Sequence, residues 1–211
     1  MIVAILGVNL PQLICGHKIL DKYPNSEIYL ISERAEVGLI GESPGLFSKS
    51  FSELIPTNWI SPMGSQTPKP DSTAVRHSWL ERAIATKLVQ RGANLQLRTK
   101  VKKISSSSKH ILQLSGAGPL SGSELVVNQI IKYPISNIQK KWVGGIHNDE
   151  LMNSNHQGYR PDGLVESWWP DDEEPQPNRK LLQSMEWFGE DPNYALEEEI
   201  ELGLTLALTV G

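Results

Sequence analysis

The sequence predicts a three-layer α/β domain that spans all 211 residues as a single compact domain, with a parallel central sheet and a small antiparallel meander. Two observations carry this prediction. The first 33 residues follow a strand–helix–strand pattern, which is typical of a buried parallel sheet. A well-delimited helix over 78–91 and a series of short apolar runs between about 95 and 131 supply the second layer and the meander.

The chain begins with an apolar run, Met1–Gly7 (MIVAILG), which predicts a buried strand. A helix follows from about Pro11 to Lys22, and Glu27–Ser32 (EIYLIS) is the second strand. Glu33 lies at the C-terminal end of that strand. In a dinucleotide-binding βαβ unit, an acidic residue at this place accepts hydrogen bonds from the adenosine ribose.

The glycine pattern of such units, G-x-G-x-x-G, is degenerate here. It becomes Gly7-Val8-Asn9-Leu10-Pro11-Gln12, in which only the first glycine remains. Asn9 tolerates a left-handed conformation better than most residues, but its side chain occupies space. Gln12 replaces the glycine that allows close packing of helix on strand. The pattern alone is therefore compatible with a dinucleotide site and also with an ordinary buried turn between strand and helix.

The remaining elements follow from periodicity and turn residues. Ser78 and Glu81 have the spacing of a capping box, and Gly92 marks the end of the helix that they begin. Gly144-Gly145 predicts a turn, and Asn148–Arg160 predicts a loop. Further predictions are a short helix over Phe47–Leu54, strands over Asn94–Leu97, Lys100–Ile104, Ile111–Leu114, Glu124–Ile131, Leu164–Trp168 and Leu181–Trp187, and a final helix over Tyr194–Leu208.

Composition narrows the function classes. Residues 1–148 carry 17 Lys and Arg against 9 Asp and Glu, whereas residues 149–211 carry 3 against 15. This asymmetry indicates either two halves that neutralise each other or a cationic face for a phosphate-bearing ligand. The basic residues are scattered without a nucleic-acid motif, so we expect no nucleic-acid partner. We also expect no membrane span and no signal peptide, and the single Cys15 fits a cytoplasmic protein.

Four sequence blocks resemble the FAD-binding domain of the glutathione-reductase-like flavoproteins, in the monooxygenase and flavin-dependent halogenase branch. The βαβ unit ending in Glu33 is the first, and the stretch 37–44 (VGLIGESP) resembles the halogenase G-x-G-E-x-x-x-P motif. The third comprises 76–81 (RHSWLE), 91–95 (RGANL) and 99–104 (TKVKKI). The fourth is 187–192 (WFGEDP) with 201–207 (ELGLTLA), similar to the G-D-A block and the helix after it.

The resemblance implies a Rossmann-like fold that binds FAD, with the substrate domain missing. It implies cofactor contacts from Gly7, Asn9, Pro11, Gln12, Glu33, Arg34, Arg76, Gly189, Glu190 and Asp191. Glu33 would bind the adenosine ribose, and Arg34 would lie on the adenine or at the surface. Arg76 would lie near the flavin or the phosphates. Glu190 or Asp191 would bind the ribityl chain or lie beside the pyrophosphate. The halogenase G-W-x-W-x-I-P motif is absent from the sequence, so halogenation is not implied.

No residue pair stands out for acid–base or nucleophilic chemistry. His77, His147 and His156 are isolated in the sequence, and no cluster has metal-ligand spacing. Two function classes stay open: an FAD-dependent oxidoreductase of unknown substrate, and a flavoprotein-like binding or assembly protein that has lost the redox site.

The resemblance also bears on partners. Without a substrate domain, a homodimer or a protein partner would cover the flavin, and Trp168-Trp169 would anchor that partner. The competing explanation is that these two tryptophans fill the core.

Overall fold

The structure is a computed structural model that describes residues 1–38, 42–106, 108–133, 140–148, 155–172 and 181–211. Within those residues it contains eleven strands and four α-helices. The strands are β1 Ile2–Leu6, β2 Glu27–Ile31, β3 Asn94–Gln96, β4 Thr99–Ser106, β5 His110–Gly116, β6 Glu124–Val127, β7 Gln129–Lys132, β8 Lys141–His147, β9 Gln157–Tyr159, β10 Val165–Pro170 and β11 Gln183–Phe188. The helices are α1 Leu10–Lys22, α2 Phe51–Leu54, α3 His77–Gln90 and α4 Ala195–Leu208.

The chain divides into two compact units. The first comprises Met1–Leu39, Ile84–Ile135 and Ile200–Gly211, and the second comprises Ile40–Ala83 and Ser136–Glu199. Each unit is assembled from segments that alternate along the chain with those of the other unit. A single domain over 1–211 therefore stays a prediction.

The first unit is built on a parallel sheet of four strands, in the order β3-β2-β1-β7. β1 pairs with β2 in parallel register, from Ile2 opposite Glu27 to Leu6 opposite Ile31. This confirms the predicted strand–helix–strand start. Because the strands are parallel, the residues that follow β1 and β2 lie at the same edge of the sheet.

The two faces of this sheet are covered by different layers, because successive side chains of β1 point to opposite faces. Ile2, Ala4 and Leu6 pack against apolar residues of the meander, such as Leu112 and Val127. On the other face, a Cβ added to Gly16 of α1 would lie 2.8 Å from Leu88 and 3.7 Å from Ile5. Helix α1 thus lies closely between the strand and α3, and the predicted three-layer α/β fold with its parallel sheet is confirmed.

The meander is smaller than predicted. It consists of β4, β5 and β6 in antiparallel order, whereas β3 and β7 belong to the parallel sheet. The expected single strand Glu124–Ile131 is divided at Asn128, whose side-chain Oδ1 accepts from the Ile2 N–H at 2.7 Å. Its own N–H donates to the Ile2 carbonyl at 2.8 Å. These two bonds attach the chain to β1 and transfer it from one sheet to the other.

A buried histidine links α1 to the end of α3 in the first unit. His17 is fully buried, and its Nε2 lies 3.0 Å from the Ile84 carbonyl while Nδ1 lies 2.8 Å from an Arg91 nitrogen. Burial, with the nearby Arg91, lowers the pKa of His17 to about 4. The neutral ring therefore donates from Nε2 and accepts at Nδ1, which satisfies both nitrogens. Burial likewise raises the pKa of Cys15 to about 12, so that thiol is a packing residue.

The second unit contains an antiparallel sheet in the order β11-β8-β10-β9. The predicted turn at Gly144-Gly145 is wrong, because both glycines lie inside β8. A Cβ at Gly144 would come within 2.6 Å of the Trp168 ring, and one at Gly145 within 2.8 Å of Leu181. Because these two positions have no side chain, the Trp168 ring and Leu181 can pack directly on the strand. The predicted loop over Asn148–Arg160 is also wrong in part, since it contains β9.

Trp168 and Trp169 are core residues, with exposed fractions of 0% and 6%. Trp168 packs with Trp142, Ile146 and Met185 in the core of the second unit. The hypothesis that these two tryptophans anchor a partner is therefore wrong, because neither presents a surface. The expected homodimer or protein partner has no support from them.

Glu166 is buried at the centre of this core and has four hydrogen-bond donors. Its Oε2 accepts from Arg160 Nε at 2.8 Å and from a terminal Arg160 nitrogen at 2.6 Å. Its Oε1 accepts from the Gly45 N–H and from Trp168 Nε1, both at 2.8 Å. These four hydrogen bonds satisfy both oxygens of the buried carboxylate.

Two helix boundaries differ from the prediction. The short helix over Phe47–Leu54 is limited to α2, and α3 begins at His77, one residue before the predicted cap. Ser78 lies inside the first turn, and its hydroxyl donates to Glu42 at 2.9 Å. The N-terminus of α3 is therefore capped by a carboxylate from a preceding loop, which the local sequence does not indicate.

We predict that Gly144→Ala destabilises the protein by about 1–3 kcal/mol, because the added methyl group overlaps the Trp168 ring and the strand must shift. Urea unfolding monitored by tryptophan fluorescence measures the change. Gly211→Ala is the control, since no heavy atom lies within 4 Å of a Cβ at that position. Equal stability of the two variants would contradict the packing role of Gly144.

Candidate functional site

The turn between β1 and α1 requires glycine. Gly7 follows β1 directly with a φ of +118°, and its N–H donates to the Ile31 carbonyl at 2.8 Å. A Cβ at this position would lie 2.9 Å from Nε2 of Gln12. The one glycine of the fingerprint that the sequence retains is thus the one whose backbone conformation excludes other residues.

The N-terminus of α1 has no side-chain cap. Asn9 is the N-cap residue, with a φ of −77° and a ψ of 170°, and its side chain makes no capping hydrogen bond. The backbone there is extended, so the left-handed conformation considered for Asn9 is not used. Pro11 lies in the first turn and has no N–H, a position where proline is well tolerated. An uncapped helix N-terminus favours an anion.

Gln12 lies in the same turn and is buried, with an exposed fraction of 2%. Its side chain folds back over Gly7, as the 2.9 Å approach shows. Its Oε1 is buried and has no hydrogen-bond partner among the described residues. Buried polar atoms of this kind are rare in folded proteins, so this one needs a reason.

Glu33 and Arg34 follow β2 at the same edge of the sheet. Glu33 is exposed and makes no hydrogen bond or ion pair to any residue that the structure describes. The main chain beside it is fixed, since the Arg34 N–H donates to the Ser32 hydroxyl at 3.2 Å and the Arg34 carbonyl accepts from the Arg98 N–H at 2.9 Å. The carboxylate of Glu33 is thus presented on an ordered backbone.

The first unit therefore brings six of the predicted residues to one edge of the parallel sheet, the edge formed by the C-terminal ends of β1 and β2. Together they provide a glycine turn, an uncapped helix N-terminus, an orphaned buried carboxamide and an unpaired carboxylate. These features fit the adenosine diphosphate half of FAD, which needs donors for phosphate and an acceptor for the ribose. The six residues are Gly7, Asn9, Pro11, Gln12, Glu33 and Arg34.

The other four predicted residues belong to the second unit. The side chain of Arg76 is 37% exposed, and its Nε lies 3.4 Å from Oε1 of Glu42, the carboxylate that caps α3. Sequence reasoning placed Glu42 only inside a motif and missed this ion pair. Arg76 therefore already has a carboxylate partner within the unit.

Gly189, Glu190 and Asp191 form the connection from β11 to α4. A Cβ at Gly189 would lie 1.9 Å from the Trp187 ring, and the Gly189 carbonyl accepts from Trp142 Nε1 at 3.1 Å. Oδ1 of Asp191 accepts from the Asn193 N–H at 2.9 Å, and Glu190 is exposed. Gly189 and Asp191 thus have local structural roles, and their contact with a cofactor stays a prediction.

The three histidines that are isolated in the sequence have partners in the structure. Nε2 of His77, which is 4% exposed, lies 3.0 Å from Glu199 Oε2. Burial alone would lower the pKa of His77, but the carboxylate of Glu199, assisted by Glu81 and Glu42, raises it to about 9. His77 and Glu199 are 122 residues apart, and no local pattern indicates their pairing.

The other two histidines also have partners. Nε2 of His147 lies 2.9 Å from the Ser167 hydroxyl, and Nδ1 of His156 lies 3.3 Å from Asp191 Oδ1. In the part of the chain that the structure describes, no group of three or more His, Cys, Asp or Glu side chains is placed to hold a metal ion. No helix among those residues is both long and apolar enough to cross a membrane.

The second unit also contains a cleft of about 720 Å³, a volume of the size that holds a small organic ligand. Its lining combines apolar side chains such as Phe47, Ile55 and Met63 with several serine and threonine hydroxyls. None of the ten sequence-predicted residues belongs to this lining.

Comparison with known proteins shows the fold. No protein-family model matches the sequence, and no curated protein matches it significantly. Among solved structures, the chain is similar to CabE, an aromatic hydroxylase from angucycline biosynthesis, with a TM-score of 0.55 and 12% identity over 99% of this chain and 62% of that one. For the halogenase PltM the TM-score is 0.57 at 12% identity, over 99% of this chain and 68% of that one.

A third similar structure is CtdE in complex with FAD, with a TM-score of 0.52 and 8% identity over 80% of this chain and 58% of that one. The chain thus spans about three fifths of the length of these proteins. At such low identity the likeness concerns the fold alone, and this fold is shared with an aromatic hydroxylase, a halogenase and a protein solved in complex with FAD. The absence of a substrate domain stays a prediction.

We predict that the free energy of unfolding falls as the pH rises from about 6.5 to 9. The pKa of His77 is raised to about 9 in the folded protein. The ion pair with Glu199 therefore stabilises the folded state fully below about pH 6.5, and this stabilisation is lost as the pH rises through about 9. The loss should be on the order of 2 kcal/mol, since one pKa unit corresponds to about 1.4 kcal/mol and the site is partly open to water. Urea unfolding at pH 6 and pH 9 measures it.

The matched variants are Glu199→Gln, which removes the partner of His77, and Glu201→Gln, which removes an exposed carboxylate on the same helix. The first should be nearly insensitive to pH in this range, and the second should behave as the unmodified protein does. Identical pH profiles for all three proteins would show that the ion pair does not stabilise the fold.

Proposed function

We propose that this protein binds FAD and is an oxidoreductase-like flavoprotein related to the monooxygenases and halogenases. The observation that carries the proposal is the position of Glu33, an exposed carboxylate without a partner among the described residues, directly after β2. It shares the edge of the parallel sheet with the Gly7 turn and the uncapped N-terminus of α1. The monooxygenase-like fold supports the same proposal.

Each residue at this edge has a distinct part in the proposal. The Glu33 carboxylate accepts hydrogen bonds from the hydroxyls of the adenosine ribose. The Gly7 turn brings the N-terminus of α1 to this edge, and the positive end of the helix dipole favours the negative charge of the pyrophosphate. Arg34, which follows Glu33, would lie on the adenine or at the surface. When bound, FAD supplies the redox chemistry through its isoalloxazine ring.

The second unit contributes proposed contacts that are less direct. Arg76 is expected near the flavin or the phosphates, and Gly189, Glu190 and Asp191 near the ribityl chain or the pyrophosphate. Arg76 already pairs with Glu42, so an anionic group that binds to it competes with that carboxylate. The substrate of the reaction is not specified by these residues.

We predict that Glu33→Ala weakens FAD binding by about tenfold to a hundredfold. A charge-assisted hydrogen bond contributes about 1.5–3 kcal/mol, and no other described side chain holds the Glu33 carboxylate in place. Titration of the protein into FAD, followed by flavin fluorescence, measures the dissociation constant. The variant should unfold at the same temperature as the unmodified protein, since the exposed Glu33 side chain makes no hydrogen bond or ion pair to any described residue.

The matched control is Glu27→Ala. Glu27 is the first residue of the same strand β2, is exposed, and carries the same charge, but lies at the opposite edge of the sheet. Its removal should leave the affinity for FAD unchanged. Equal affinities for the Glu33 and Glu27 variants would reject the ribose contact, and no binding of FAD by the unmodified protein would reject the proposed function.

A further inference from the structure

Gln12 presents a polar group that the folded protein alone does not satisfy. Its side chain is 98% buried, it lies against Gly7, and its Oε1 has no partner among the described residues. Leaving a buried carboxamide unsatisfied costs free energy, whereas an apolar side chain of the same volume at this place would not. The position of Gln12 is therefore costly for the fold and requires another explanation.

The surroundings of Gln12 indicate what would satisfy it. Gln12 lies in the first turn of α1, a helix of 13 residues whose N-cap side chain makes no hydrogen bond. Pro11 removes one of the N–H donors that this turn would otherwise offer. The site thus favours an anion but has one donor fewer than a helix without proline. A side-chain donor beside the turn would compensate for that loss.

A carboxamide can provide that donor. The oxygen and the –NH₂ group of the carboxamide exchange places when the terminal torsion rotates by 180°. The position of the partnerless Oε1 atom can therefore hold either a hydrogen-bond acceptor or a hydrogen-bond donor. With the oxygen there, the group accepts from a hydroxyl. With the –NH₂ group there, it donates to a phosphate oxygen, which is the partner that the helix N-terminus attracts.

We propose that the Gln12 carboxamide donates a hydrogen bond to a phosphate of the bound dinucleotide and replaces the backbone donor that Pro11 lacks. This inference rests on the proposed function, since it requires that the edge of the sheet binds a dinucleotide. It adds that the glutamine in place of the third fingerprint glycine is a ligand-binding residue. At position 12, the glycine that packs helix on strand in the usual motif is then replaced by a side chain that donates to phosphate.

Two variants at Gln12 separate binding from packing. Gln12→Met keeps the length and volume of the side chain and removes both polar atoms, and Gln12→Glu keeps the shape and adds a negative charge. Gln129→Met is the matched control, because Gln129 is the first residue of β7, in the same unit and at the other end of the parallel sheet. Isothermal titration with ADP, FAD and riboflavin gives the affinities, and thermal unfolding without ligand gives the stability.

If Gln12 donates to a phosphate, the variants should show a specific pattern of ligand affinities. Gln12→Met should weaken ADP and FAD binding by about tenfold, and Gln12→Glu by about a hundredfold, with riboflavin unaffected because it has no phosphate. Without ligand, Gln12→Met should unfold at the same temperature as the unmodified protein or higher, since it removes an unsatisfied atom. Gln129→Met should leave all affinities unchanged.

Other outcomes overturn the inference. Unchanged ADP affinity in both Gln12 variants would mean that Gln12 only packs against Gly7. Weaker riboflavin binding with unchanged ADP binding would mean that the carboxamide accepts from a ribityl hydroxyl. If the unmodified protein binds FAD and the variants bind it equally well, the inference fails and the proposed function stands. If the unmodified protein binds neither FAD nor ADP, both fail.

Discussion

The backbone conformation of Gly7 is the constraint on which the candidate binding edge depends. A φ of +118° turns the chain sharply out of β1, so that α1 begins three residues later and directs its N-terminus to the edge of the sheet. The side chain of Gln12 then packs on the space that a Cβ at Gly7 would fill. The turn, the helix N-terminus and the orphaned carboxamide are thus one arrangement, and a side chain at position 7 would disrupt all of it.

In the second unit, the corresponding constraint is the buried carboxylate of Glu166. It joins Arg160, the loop at Gly45 and the Trp168 ring through four hydrogen bonds. Removing one partner of such a group costs about 3–5 kcal/mol, because a buried charge is left uncompensated. The same tryptophan requires Gly144 in the neighbouring strand. This core therefore combines one charge network with close aromatic packing, and neither is visible as a local pattern.

Local sequence determines the first unit more fully than the second. The strand–helix–strand start is predictable because β1, α1 and β2 each have the expected periodicity and Pro24-Asn25-Ser26 separates the last two. β8 is not predictable in this way, since Gly144-Gly145 is ordinarily a turn signal but here lies inside a strand that pairs with β10 and β11, under the Trp168 ring. Asn128 likewise divides one predicted strand through hydrogen bonds to Ile2, 126 residues away.

The candidate site shows the same contrast. Gly7 and Glu33 are predictable from their places after the first two strands, whereas the orphaned oxygen of Gln12 follows only from the packing around it. The pairing of Glu42 with Arg76 and that of His77 with Glu199 join residues that are distant in the sequence.

The central claim, that this fold binds FAD, is tested most directly by incubating the protein with excess FAD and separating it from free flavin by gel filtration. The account predicts a yellow protein that carries about one FAD per chain and releases it on denaturation, and a colourless protein would contradict it.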